Sequence, residues 1–407
     1  MAWGLRLAVL LAAACVCATA PVRAEEARDA VGWNERGLKL TEDGRHLEAV
    51  EAFVKALDLS PDDAVIRRNL ALARSNLAVA LLAKGDVDHA AHHAEEALRL
   101  QPADPVVVLN LAACRDEQGY PTRAAELVRR ARELGPRDAD VRERMGAVLY
   151  REGDLGGAIS EWTVALALRP DASALAERLE RARRSKAVED ALTSQLSAHF
   201  EVLHDAQSAV LASLVLRELE EAQRVVTAEI QATPPSPVRV VLLSAEEFRE
   251  TTGASAWVAG LYDGRIRLPV RGVRDRAALL ARARHEYVHA ALAGLGRRAP
   301  SWLHEGLAQV VEQRARADAV ARLRRSGAPD FATLSRAFST TSGEAVARTL
   351  YDTALAFVAW LREGERGTRF RFALSRLFAD DSLDAAFRAG YDATPAELYE
   401  AFRASLR

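Results

Sequence analysis

The chain has 407 residues, 49% of them hydrophobic and 28% charged, and a formal net charge of −2. That balance excludes an intrinsically disordered chain, and the lack of a dense basic run leaves no footing for nucleic acid. Arginine far outnumbers lysine and alanine is abundant, which reads as genomic base composition rather than phosphate binding.

Residues 1–24 read as a signal peptide: Arg6, an apolar run from Leu7 to Ala14, then Val22-Arg23-Ala24 as a small-x-small cleavage site before Glu25. The expectation is export, to a bacterial periplasm or the medium. The apolar run is shorter than the ~20 residues a membrane span requires, and no later segment is apolar enough. A lipoprotein signal ending at Cys15 is the weaker alternative, because Ala12-Ala13-Ala14 lacks a large aliphatic residue at its first position. Cys15 and Cys17 would leave with the signal. Cys114 then stands alone and reads as a small buried core residue.

Residues 30–172 carry a repeat. The stretch 30–63 shows Trp33, Gly37, Gly44, Ala49, Phe53, Ala56 and Pro61; 71–104 shows Leu77, Ala78, Gly85, Ala90, Ala97 and Pro102. The stretch 105–138 shows Ala112, Gly119, Ala124, Ala131 and Pro136, and 139–172 shows Gly146, Gly153, Ala158, Trp162, Ala165 and Pro170. These offsets and the 34-residue period resemble tetratricopeptide repeats, two helices per unit with small residues where the helices touch. Residues 64–70 intervene between the first two repeats and are expected to lengthen a helix. Such a solenoid leaves a concave face whose usual task is binding a protein or peptide partner; the plain alternative is a spacer. His89, His92 and His93 lack a third ligand and read as solvated surface residues.

Residues 173–196 are expected to form a capping and linker helix, running from about Asp171 to Ser194. The rest, 197–407, reads as a second domain, separable near residue 195. Residues 199–204 alternate as a strand, 206–231 as an amphipathic helix, and Val238–Leu243 as a buried strand. A short helix near 245–251 follows. Asp263-Gly264 between 257–262 and 265–268 signals a hairpin.

From about Arg274 to Leu292 the pattern is helical and contains His285-Glu-x-x-His289. Residues four apart share a helix face, so both imidazoles can aim at one point. Zn²⁺ accepts such nitrogens and usually takes four ligands. Glu286 is set to reach a water polarised by the ion rather than the ion itself. Gly294 and Gly296 end the helix, Pro300-Ser301 begins another, and Glu305 on its first turns is the candidate third ligand.

HEYVHA followed by PSWLHEGLAQ resembles the peptidase MA-like (gluzincin) metallopeptidases. The resemblance implies an α+β zincin-like domain holding one Zn²⁺ by His285, His289 and Glu305, with Glu286 as general base. Many gluzincins carry an acid four places after the third ligand, orienting the first histidine; here Gln309 stands there and is expected to do so more weakly. The resemblance also implies that a hairpin edge, with Trp257, Gly260 and Tyr262, binds extended peptide, and that Tyr351 donates to the developing oxyanion. Tyr351 is expected to begin a helix, and the chain after Glu312 to be helical to its end.

The fold expected is an all-α tetratricopeptide solenoid followed by an α+β zincin-like domain. The function expected is hydrolysis of peptide bonds, with the repeats recruiting a partner or substrate. The alternatives are a non-catalytic scaffold that binds protein or peptide, and hydrolysis of a non-peptide amide.

Overall fold

Asp29, Asp63, Asp104 and Asp138 each stand just before a helix and accept hydrogen bonds from backbone N–H groups of its first turn. Carboxylates there satisfy donors that no intrahelical carbonyl can reach. The computed structural model describes residues 29–230, 234, 237–254, 258–270, 273–336 and 344–406. The expected signal peptide and Trp257 lie outside the described residues. The chain divides into two units, Met1–Met145 and Gly146–Arg407.

The first unit is built of helix pairs: α1 (Ala30–Glu42) with α2 (His46–Leu59), α3 (Ala64–Ala83) with α4 (Val87–Leu100), and α5 (Pro105–Glu117) with α6 (Pro121–Leu134). It ends within α7 (Ala139–Arg151). Gly37 shows why the repeat requires small residues, since a Cβ there would lie 2.7 Å from the Phe53 ring. Gly44, Gly85 and Gly119 each follow the first helix of a pair by two residues at φ +72, +80 and +84, a left-handed conformation that favours glycine. The seven extra residues enter α3, which has 20 residues against 13 in α1 and α5. Cys114 is buried. His89 is exposed beside Asp86, but His93 is half-buried against Arg74 at 3.3 Å, which corrects its expected solvation.

In the second unit α8 (Leu155–Leu168) and α9 (Ser173–Asp190) follow the end of α7. The expected helix to Ser194 is corrected: α9 stops at Asp190 and the chain enters a sheet as β1 (Thr193–Leu196). This edge strand is largely exposed, so Thr-Ser-Gln-Leu shows none of the apolar alternation that betrays a strand. Then come β2 (Phe200–His204), α10 (Ala209–Ile230), β3 (Val238–Leu243), α11 (Ala245–Thr252), β4 (Leu261–Tyr262) and β5 (Ile266–Pro269). The sheet order is β1-β2-β3-β5-β4, with β2, β3 and β5 parallel and the two outer strands antiparallel to their neighbours.

The strands alternate between two faces. Phe200, Val202, Val240, Ile266 and Leu268 join the main core, while Leu203, Val241 and Leu243 pack with Phe248 on the other side. The main core also takes residues from α12 (Arg276–Leu292) and α13 (Ser301–Val311). Helices α14 (Arg316–Ser326), α15 (Phe331–Arg336), α16 (Glu344–Leu361), α17 (Glu365–Phe378), α18 (Leu383–Tyr391) and α19 (Pro395–Ser405) complete the unit. Tyr351 therefore lies within α16 rather than at its start. Gly306 lets α13 approach α16, because a Cβ there would strike Val358 and the Ala354 carbonyl.

Candidate metal centre

Helix α12 buries most of its circumference, and it carries both histidines inward: His285 is 5% exposed and the two ring centroids are 5.0 Å apart. Asp275 caps its start by accepting from the Ala278 N–H. At its end a 3-10 turn, Ala293–Arg298, reverses the chain at Gly296 (φ 51, ψ −135), a conformation strained for any other residue. Helix α13 then packs on α12 and brings Glu305 to the pair.

Glu305 Oε2 lies 3.4 Å from His285 Nε2, and Oε1 lies 3.7 Å from His289 Nε2. Ligand-capable atoms of His285, His289 and Glu305 all fall within 4.8 Å of one another. Among the described residues this is the group of three or more His, Cys, Asp or Glu that could hold a metal ion. Glu305 Oε2 is buried without a hydrogen-bond partner. His285 Nε2, at 3.4 Å, meets that oxygen only as a charge, and a cation held between the two groups would satisfy both. Two imidazoles and a carboxylate are a donor set that zinc accepts, with a fourth position left open. The residues present fit that ion.

The surroundings tune each group. Burial pushes His289 down to about 3 and the neighbouring His304 down to about 4, which keeps both imidazoles neutral and their lone pairs available at neutral pH. His304, not expected to take part, stacks on His289 with centroids 5.7 Å apart. For His285 burial acts downward, but the carboxylates of Glu305 and Glu312 outweigh it and lift the ring to about 9. Burial raises Glu286 to about 7, with the charges of His285 and Arg282 pulling the other way. Burial would raise Glu305 and Glu312 too, yet His285 holds both below the usual carboxylate range.

The residue behind His285 is Glu312, whose Oε2 lies 3.1 Å from His285 Nδ1. Gln309 does not fill that role, which corrects the sequence expectation. Its side-chain amide donates instead to the Tyr351 carbonyl at 2.9 Å and to the Glu305 carbonyl at 3.1 Å, and accepts from Arg314. Four residues after Glu305 the side chain lies over its own helix and α16; seven residues after, the end of α13 turns Glu312 toward α12. Arg284 fastens that end by donating to the Glu312 carbonyl at 3.2 Å.

Tyr351 feels burial first and then the negative charges of Glu305 and Glu286, which together push its hydroxyl to about 12. Gly260 abuts the site, since a Cβ on it would lie 2.9 Å from Glu286 Oε1 and from Arg282 Cγ. Tyr262 is less involved: it pairs with Ile266 in β4 and packs on the main core, and burial followed by Asp263 raises its hydroxyl. Trp257 lies outside the described residues.

The tetratricopeptide repeat family matches residues 81–148. No curated protein matches the chain. Among solved structures, YrrB, described as a tetratricopeptide protein with an unusual peptide-binding site, is 20% identical, with 40% of this chain and 80% of that chain covered and a TM-score of 0.31. MamA from AMB-1 is 23% identical over 39% of this chain and 82% of its own, at a TM-score of 0.30. MamA from Desulfovibrio magneticus RS-1 is 21% identical over 36% and 78%, at 0.28. With such TM-scores these likenesses carry no inference for this chain.

Proposed function

We propose that the chain is a zinc-dependent hydrolase of peptide bonds, of the gluzincin type, whose tetratricopeptide repeats recruit a protein partner or substrate. The observation that carries this reading is the convergence of His285, His289 and Glu305, whose ligand-capable atoms all lie within 4.8 Å of one another. When bound there, zinc supplies Lewis-acid polarisation of a carbonyl and acidifies a water.

The chain's own residues fit the remaining work. A carboxyl raised to about 7 can both take and return a proton at neutral pH, which suits Glu286 as general base and then general acid. Neutral His289 offers a lone pair, and Glu312 holds the His285 ring in a fixed orientation. Tyr351 keeps its proton at neutral pH and can donate to a developing oxyanion. β4 is the outer strand of the sheet among the described residues, and an edge of that kind offers backbone N–H and C=O groups that an extended peptide complements. Export, with cleavage after Ala24, belongs to this proposal.

A scaffold that binds peptide without cleaving it is the second reading, and the repeat match at 81–148 favours it, because that match bears on binding alone. A proteome-wide cleavage profile of wild type against Glu286→Gln decides between them. Fragments that appear with wild type and vanish with the variant support the hydrolase. Identical profiles support the scaffold.

A further inference from the structure

The turn of the β4–β5 hairpin is plugged into the end of the repeat-type helices of its own unit. Gly264, at φ +104, lies so close to the end of α7 that a Cβ on it would strike the Arg151 carbonyl. The Tyr150 hydroxyl donates to Asp263 Oδ2 at 2.8 Å. Arg267 donates to Asp263 Oδ1 at 3.2 Å, to the Ser185 hydroxyl at 3.2 Å and to the Tyr150 hydroxyl at 3.3 Å. Arg265 donates to Glu189 Oε1 at 2.9 Å and to the Tyr150 carbonyl at 3.3 Å. Both arginines are essentially without solvent exposure, so their charges depend on these partners.

The other end of the same short segment meets the candidate site. Tyr262 and Leu261 lead back from Asp263 to Gly260, the residue whose backbone lies against Glu286 and Arg282. Three residues of extended chain, about 10 Å, join anchor to site. The ladder between β4 and β5 has only the pairs Leu261–Arg267 and Tyr262–Ile266. Two pairs are too few to fix an edge strand by themselves.

From this geometry we infer that Tyr150 and Asp263 are positioning residues, which hold the hairpin turn and through β4 set the Gly260 backbone over Glu286. The last repeat-type helices are thereby part of the machinery of the site. The catalytic consequence rests on the hydrolase reading; the mechanical one does not.

The test uses the full chain as wild type, Tyr150→Phe and Asp263→Asn. Tyr150→Phe keeps the ring that stacks on Trp162 and lies under Arg265, and removes only the hydroxyl. Hydrogen–deuterium exchange, Zn²⁺ titration and turnover of reduced, unfolded casein are measured together. Amides 260–264 are expected to exchange about tenfold faster in the variants, the factor one net hydrogen bond is worth. Exchange over α12 and zinc stoichiometry stay at wild-type values, and kcat falls while KM does not. Unchanged exchange at 260–264 in a folded Tyr150→Phe overturns the inference, whether or not casein is cleaved, and this variant decides alone where Asp263→Asn does not fold. Faster exchange with casein untouched by wild type upholds the positioning and counts only against the hydrolase reading.

Discussion

Glu312 Oε2 lies 3.1 Å from Nδ1 of His285, the ring nitrogen on the far side from Glu305. A carboxylate in that position accepts from Nδ1 and turns Nε2 toward Glu305 and His289, so a metal there would displace the proton that Nε2 otherwise holds.

Glu312→Gln is therefore expected to weaken zinc binding by about 10–100-fold, the usual cost of losing a partner behind a ligand. Gln309→Ala is expected to do something different. It breaks the tie from α13 to the Tyr351 carbonyl and lowers stability by about 1–3 kcal/mol, with zinc affinity near wild type. Competition with a chromophoric chelator and thermal melts measure the two effects. Equal loss of zinc affinity in both variants would return the orienting role to Gln309.

The two glutamates nearest the histidines should fail in different ways. If the proposed site holds zinc, Glu305→Ala removes a ligand, and metal and activity are expected to go together. Glu286→Gln removes a proton carrier and keeps about one zinc per chain, while kcat drops by roughly 10²–10⁴-fold. Elemental analysis beside turnover of a peptide mixture reads both. Zinc lost equally from the two variants would mean that Glu286 is itself a ligand.

Cys114 should be inert in the native protein. Burial lifts its thiol to about 12, so at pH 8 almost none is thiolate, the reactive form. In a chain that starts at Glu25 and so carries Cys114 as its one cysteine, a thiol reagent at pH 8 is expected to label only after denaturant is added. Stoichiometric labelling without denaturant would refute the burial.

Local signals in the sequence went furthest where spacing alone sets geometry. The four-residue separation of His285 and His289 and the seven residues absorbed by α3 could be read directly, because each depends on helix periodicity; Gly44, Gly85 and Gly119 were read as repeat positions, and their turn role at positive φ came with the structure. Glu312 could not, because its approach to His285 depends on where α13 ends and how α12 and α13 cross. The edge strand β1 escaped because its exposed side chains have no apolar alternation. Arg265 and Arg267 were read only as part of the strand 265–268; nothing local told that Glu189, Ser185 and Tyr150, 76 to 117 residues earlier, would meet them.

Those contacts govern where the chain can be cut. The sequence suggested that residues 195–407 fold alone, yet the unit boundary falls between Met145 and Gly146, inside the repeat read at 139–172. Cutting at 195 removes α7, α8, α9 and half of β1, and with them Glu189, Ser185 and Tyr150. Arg265, at 0% exposure, and Arg267, at 1%, would keep their charges and lose those partners. The cut would also uncover the sheet face of Leu203, Val241, Leu243 and Phe248, on which Val188 and Leu192 pack, and lost apolar burial of that kind costs about 1.5–3 kcal/mol per side chain against the roughly 5–15 kcal/mol that holds a domain together. The fragment 195–407 is therefore expected to be unfolded or aggregated. The fragment 136–407, which keeps Asp138 as the cap of α7, is expected to melt cooperatively and to bind one zinc. Circular dichroism melts, size-exclusion chromatography and metal content of the two fragments make the comparison. A soluble, cooperatively melting 195–407 that binds zinc as well as 136–407 would show that the hairpin does not need its anchor.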